Sequence, residues 1–236
     1  MSKILDRIFF FVIPAFLFVL FFVVEGVLVP EQKKVFYSEY GPVEILQEAM
    51  LFLCLVFSIY ILTRINPDQS KWLKIWIGIA ALGCFYVFIE EISWGQKIFR
   101  WNTPEFWMEI NTQRETNIHN TSQIFNRVPR GILETGILVA GIIIPVLRKY
   151  APSALPKKIS AIYPASEIMF ISILATIIKI LEHFPSRLGI QVFWRKSEVM
   201  ETFFYCFVFL YLFSIFHRWV QSGIVRTPCG GARKAL

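Results

Sequence analysis

Charged side chains are scarce in this chain: Asp, Glu, Lys and Arg together make up 17% of its 236 residues. The wetted surface of a soluble domain needs nearer a quarter. The shortage excludes an ordinary soluble fold, because 56% of the residues are hydrophobic and 24 are Phe. Histidine occurs only three times, which excludes a histidine-rich di-iron centre. The four cysteines, Cys54, Cys84, Cys206 and Cys229, show neither CxxC nor paired spacing. They read as small buried apolar residues, not as disulfides or metal ligands. There is no P-loop, no GxGxxG and no HExxH, so the standard nucleotide and zinc-protease motifs are missing. No internal repeat and no low-complexity run divides the chain, which reads as a single polytopic domain over 1–236.

What is present is apolar sequence in long runs, with a mean hydropathy of +0.55. A bilayer core about 30 Å thick takes roughly 20 apolar residues of helix to cross. Six segments answer to that: about 8–29, 43–63, 72–93, 131–148, 161–183 and 198–218. The expected fold class is therefore an all-α integral membrane protein with about six transmembrane helices. At the N-terminus, Lys3 and Arg7 precede an apolar run from Ile8 to Val24 that resembles a signal peptide. Glu25-Gly26-Val27 follows in place of a small-residue cleavage site, so an uncleaved first helix is expected.

The net charge of +7 and pI near 9.3 come from basic residues in short loops between apolar runs. Such loops anchor against anionic headgroups, so the expected partner is membrane lipid and not nucleic acid. Lys and Arg are commoner in the loops that become cytoplasmic when both termini are placed inside. A multi-pass protein of the cytoplasmic membrane in that orientation is expected. Between the third and fourth helices the segment 94–130 carries a helix-start signal, Asn102-Thr103-Pro104-Glu105. Phe106, Trp107 and Ile110 follow at helical spacing, with Trp94, Phe99 and Trp101 before them. Aromatics of this kind favour the headgroup zone, so an extracytoplasmic interfacial helix or lid is expected there.

The distribution of carboxylates is the most informative feature. Of the 17 acidic residues, only Asp6 and Asp68 fall in the cytoplasmic loops. At the opposite ends of the helices lie Glu44 and Glu48, Glu90 and Glu91, Glu134, Glu182 beside Lys179 and His183, and Glu198 with Glu201. The 94–130 segment adds Glu115, Asn117, His119 and Asn120, and Trp94 and Gln96 follow Glu91 closely. Glu44/Glu48 and Lys179/His183 are four apart, and Glu198/Glu201 three apart, so each pair shares a helix face. An ionisable group in a spanning helix costs about 2.5–3.5 kcal/mol on insertion scales and normally faces protein or trapped water. Several at one level predict a shared polar cavity. Taken singly, Glu44, Glu90, Glu134 and Glu198 suit simple solvation at headgroup depth, and ion pairing between helices suits the deeper group. Glu25 and Glu167 stand alone and receive no role, and His217, beside Arg218 and Trp219, reads as an anchor at the other face.

Two chemistries fit that cavity. Glu91, His119, His183 and Glu201 could ligate a divalent metal. Alternatively, Glu91, His183, Glu201, Glu90 and His119 could perform acid–base catalysis. Lys179, Glu48, Glu182, Asn117, Asn120, Trp94 and Gln96 would then contact the substrate. Glu90-Glu91 is similar to the Glu-Glu motif of the CAAX-processing intramembrane glutamate proteases. The rest of that family's pattern departs here: Trp94-Gly95 stands where an arginine follows, and no His-x-x-x-Asn occurs. Phe213-Ser-Ile-Phe-His217 matches the family's Phe-x-x-x-His at the wrong face, so the activity does not carry over. The functional expectation is a hydrolase or transferase working on a lipid or lipid-linked substrate at the outer leaflet. The alternatives are a non-catalytic membrane subunit docking to protein partners, or an ion- or proton-coupled transporter.

Overall fold

Long apolar runs with little polarity on any side have no lower-energy option in lipid than helix, where each backbone N–H and C=O is satisfied within the segment. The computed structural model, which describes residues 8–65, 71–187 and 189–221, follows that rule, and the described residues form helices and no sheet. In chain order these are α1 (Ile8–Val27), α2 (Pro30–Phe36), α3 (Pro42–Arg64), α4 (Lys71–Glu91), α5 (Gln96–Phe99), α6 (Glu105–Ile110), α7 (Gln123–Tyr150), α8 (Met169–Arg187) and α9 (Lys196–Gln221). Among the described residues, five are long and apolar enough to cross a membrane: α1, α3, α4, α7 and α9. The chain is an all-α, multi-pass membrane protein. The N-terminal cations Lys3 and Arg7, the Asn66-Pro67-Asp68 break and the C-terminal tail with Cys229 lie outside the described residues.

Burial assigns the helices their places. In α9, 78% of the apolar window is buried, against 17–28% in the other four spans. α9 is therefore the axial helix, packed on α3 and α8 with α1 and α7 also in contact. Its Phe203, Phe204, Phe207, Leu210 and Leu212 make much of the core. The remaining helices turn their apolar outer faces away: Phe16, Val19, Leu82 and Ile132 are all more than half exposed. In water such a belt would drive aggregation; in lipid it is the surface expected of a spanning helix.

Polar clips fix the register of the bundle. Gln47 of α3, 1% exposed, donates to the Glu198 carbonyl at 2.7 Å and the Thr202 hydroxyl at 3.0 Å. At the other end, the Trp76 indole donates to the Tyr211 hydroxyl at 2.7 Å, which in turn donates to the Ile162 carbonyl at 2.6 Å. Glu25, without an apparent role in the sequence, is a junction. It accepts from the Tyr37 hydroxyl at 2.9 Å and the Trp194 N–H at 2.8 Å, and pairs with Lys33 at 2.9 Å. Gly141 lets α7 and α8 touch, because a Cβ there would lie 1.8 Å from the Ser172 hydroxyl oxygen.

Two boundaries differ from the sequence expectation. α7 begins at Gln123, capped by the Ser122 hydroxyl, which accepts the Ile124 N–H at 3.2 Å. Polar Gln123 and Arg127 hide the start from a hydropathy reading, and Pro129 is carried inside the helix. α8 begins only at Met169, because Pro164 disfavours helix at the residue before it. The stretch ahead is made of short 3-10 turns, Lys157–Ile162 and Ser166–Ile168.

Candidate functional site

The site grows from the way α4 ends. After Glu91 the backbone enters left-handed conformations at Ser93, Trp94 and Gly95 (φ 48°, 55° and 96°), which reverse the chain and fold the following segment back over the helix ends. Non-glycine residues adopt that region at a cost, and here hydrogen bonds hold it. The Ser93 hydroxyl donates to Glu115 at 2.7 Å, and the Thr116 hydroxyl donates to the Ser93 carbonyl at 2.9 Å. Asn117 donates to Glu115 at 2.6 Å, and the Thr116 N–H donates to the Gln96 side-chain Oε1 at 2.8 Å. Asn111, buried, donates to both the Asn117 backbone and side-chain oxygens. The segment that begins as an apparent loop is thus internally bonded.

Its consequence is the placement of His119. Glu90, 3% exposed, accepts the N–H groups of Ile118 and His119 at 2.7 and 2.9 Å on one oxygen, and the Trp94 indole at 2.7 Å on the other. The His119 Nδ1 lies 3.3 Å from the same carboxylate. With Nδ1 donating to Glu90, Nε2 is left as the basic nitrogen.

Beside this pair opens a cavity of about 510 Å³, lined by Glu90, Glu91 and Tyr86 of α4, by Lys97, Glu115, His119 and Asn120 of the returning segment, and by Glu44 near the start of α3. α7 contributes Phe125, Pro129, Arg130 and Leu133, and α9 and its approach contribute Arg195, Glu198, Glu201, Phe204 and Tyr205. Glu91 accepts the Tyr205 hydroxyl at 2.9 Å. Lys97 pairs with Glu44 and lies 3.9 Å from Glu48. Among the described residues, none donates a hydrogen bond to the Glu201 carboxyl group. Outside the spanning helices, burial works to lower the Lys97 ammonium, but Glu44, Glu115 and Glu91 outweigh it and hold it above its ordinary value. A hydrogen bond with Glu115, then burial and the Glu115 charge, push the Glu39 carboxyl up to about 7. Burial raises Glu115, yet the bonds from Glu39 and Ser93 and the charge of Lys97 bring it below the usual range.

The residues singled out from sequence divide between two places. Glu91, Glu201, Glu90, His119 and Asn120 line the cavity together, with Glu48 near its rim. Gln96 and Asn117 are tied into the segment's own bonding, and the Trp94 indole is spent on Glu90. Lys179 and Glu182 belong instead to an ion-pair network joining α7 and α8. Lys179 lies 2.8 Å from Glu134 and 3.4 Å from Glu182, and Arg130 lies 3.4 Å from Glu182. His183 is exposed on the same helix and is not part of the cavity wall. The four-residue metal set of Glu91, His119, His183 and Glu201 is therefore not assembled. Among the described residues, no group of three or more His, Cys, Asp or Glu side chains is arranged to hold a metal ion. Sequence reasoning missed Lys97, Arg130 and Tyr205. Tyr205 was findable, since it lies one turn beyond Glu201 on the same face of α9.

No family model, curated protein or solved structure matches this chain. What the fold and the cavity define is a class, a multi-pass α-helical membrane protein with a cavity lined by several carboxylates, among them the buried Glu90 that meets the half-buried His119.

Proposed function

We propose that the chain is a membrane enzyme that hydrolyses, or transfers a group from, a lipid or lipid-linked substrate taken from the outer leaflet. The observation that carries this reading is an imidazole oriented by a buried, multiply bonded carboxylate at the wall of a cavity that holds further carboxylates. A cavity with a few convergent polar groups is the usual form of a binding site, and imidazole is the side chain that most often moves protons in catalysis. In this reading six helices span the membrane, α8 being the sixth. Both termini are cytoplasmic, and the 94–130 segment is a lid lying in the outer interface. The exposed Ile98, Phe99, Trp101 and Phe106 suit contact with headgroups and upper acyl chains.

The residues then divide the work. His119 takes the proton from an attacking water or hydroxyl through Nε2, and Glu90 positions the ring. Lys97, Arg130 and Arg195 face negative charge that develops at the reacting centre, where fixed cations in a water-poor site are most effective. Tyr205, held by Glu91, and Glu201 supply a proton to the leaving oxygen. The test is to incubate the purified protein in vesicles of mixed membrane lipids and follow lipid masses, with His119→Ala as control. A lipid consumed by the wild type and spared by His119→Ala supports the reading. If no lipid changes with either protein, the enzyme reading falls and that of a membrane subunit replaces it.

A further inference from the structure

The cavity is not polar throughout, and its apolar part has a direction. On α7, Phe125, Pro129 and Leu133 follow one another at four-residue spacing, which places them in one row along the helix. Tyr86 and Val87 of α4 and Phe204 of α9 line the same cavity. α4 packs chiefly on α3, and α7 on α8 and α9, so the cavity separates α4 from α7. Both helices are long and apolar enough to span, and their neighbouring residues Leu82 and Ile132 are 70% and 67% exposed. Leu82 lies one turn before Tyr86 on α4 and Ile132 adjoins Leu133 on α7, so the apolar part of the cavity wall sits next to the outward apolar faces of both helices.

We infer that the slot between α4 and α7 is a lateral portal that takes the hydrocarbon chain of a membrane lipid while the polar end rests among Glu90, Glu91, His119 and Asn120. The inference rests on the lipid-enzyme reading of the cavity and names how its substrate enters. Hydrocarbon suits the slot because water in it would face the apolar row of α7, whereas a chain removes that row from water. A water-soluble substrate would need no opening on this side.

The test is nitroxide accessibility in the full-length chain, reconstituted in vesicles of phosphatidylethanolamine and phosphatidylglycerol. Labels are attached singly at Leu133→Cys, Val87→Cys, Ile132→Cys and Asn120→Cys in a Cys229→Ser background. Cys54, Cys84 and Cys206 are buried. Collision with oxygen, which dissolves in hydrocarbon, is compared with collision with a water-soluble nickel chelate. At positions 133 and 87 oxygen should exceed the chelate several-fold, as at the lipid-facing control 132, and at 120 the order should reverse. Chelate access at 133 and 87 equal to that at 120 overturns the inference, because the cavity is then aqueous along its length. Exclusion of both reagents overturns it too, because the helices are then closed. If Leu133→Cys does not fold, Val87→Cys on the facing helix decides alone. None of these readouts involves turnover. A hydrocarbon-filled slot in a protein that alters no lipid keeps the portal and removes only the catalytic reading.

Discussion

The Glu90 carboxylate and the His119 imidazole, 29 positions apart in the chain, meet at 3.3 Å where α4 ends and the returning segment crosses it. The same Glu90 oxygen also accepts the N–H groups of Ile118 and His119, so ring and backbone are fixed by one side chain. His119→Ala should lower lipid turnover by about 10²–10⁴-fold, the usual contribution of a positioned general base, with little change in thermal unfolding. Glu90→Ala should lower both turnover and thermal stability, because each donor it leaves buried without a partner costs about 1–3 kcal/mol. Turnover and detergent-solubilised melting, measured side by side, separate the two roles. A His119→Ala protein that melts as early as Glu90→Ala would count against catalysis.

Glu39 and Glu115 make the closure of the segment sensitive to pH. Glu39, raised to about 7, shares a hydrogen bond with Glu115, and Lys97 and Glu48 act on it with opposite signs. A raised carboxyl contributes stability that is fully present below its unfolded value, near 4.5. That contribution is lost as pH climbs towards 7. Glu115, held low, works the other way and loses its contribution only in acid. Above neutrality both groups are charged, and the clasp between the start of α3 and the segment loosens. Glu39 lies at an exposed rim, where solvent screens charge, so the effect is modest. Hydrogen exchange across 111–119, corrected for intrinsic rates, should be faster at pH 8 than at pH 6. Glu39→Gln, which stays neutral, should flatten that difference.

The helices were readable because hydropathy runs report on lipid directly, and the level of Glu91 and Glu201 followed from their places at helix ends. The partners were not readable. Whether His119 or His183 meets Glu90 depends on the left-handed turn at Ser93–Gly95, which no periodicity announces. Lys179 and His183 share a face of α8, but that face presents Lys179 to α7, where Glu134 answers it. Polar spacing on one helix identifies a face and leaves open what the face meets. The late start of α8 was signalled by Pro164, whose effect on the preceding residue an apolar count ignores.

Besides the ion pairs, α7 and α8 meet closely where Gly141 carries no side chain. A Cβ at Gly141 would meet the Ser172 hydroxyl at 1.8 Å and its Cβ at 2.6 Å; rotating the hydroxyl relieves only the first, and the second needs a helix to move. Gly141→Ala should destabilise by about 1–3 kcal/mol, the usual cost of overpacking. Ser172→Gly in the same chain removes both clashes and leaves Phe207 at 3.1 Å, so the double variant should recover part of the loss. Such recovery is the signature of direct coupling. Purely additive losses in a thermal unfolding series would show that the helices do not meet at this point.

The sixth crossing can be tested at the two ends of α8. This helix has 19 residues, about 28 Å at 1.5 Å per residue, close to the roughly 30 Å of a bilayer core. The two charged residues within its length, ahead of the terminal Arg187, are Lys179 and Glu182; they are engaged with Glu134 and Arg130 of α7 and are not presented singly to lipid. Landmarks at its ends place them far apart along α9. Ahead of α8, Ile162 accepts from Tyr211 and Ala161 from Trp219; beyond it, the Trp194 N–H reaches Glu25 at the end of α1. Cysteines introduced at Ser153 and Ile190 in the Cys229→Ser chain should therefore react with a membrane-impermeant maleimide from opposite sides. Thr112→Cys should label with Ile190→Cys, since the segment carrying it and the start of α9 enclose one cavity. Labelling of 153 and 190 from the same side would make α8 a re-entrant helix and reduce the crossings to five. Labelling of 112 and 190 from opposite sides would dismantle the cavity itself, because Glu90, His119 and Glu201 could not then share a wall.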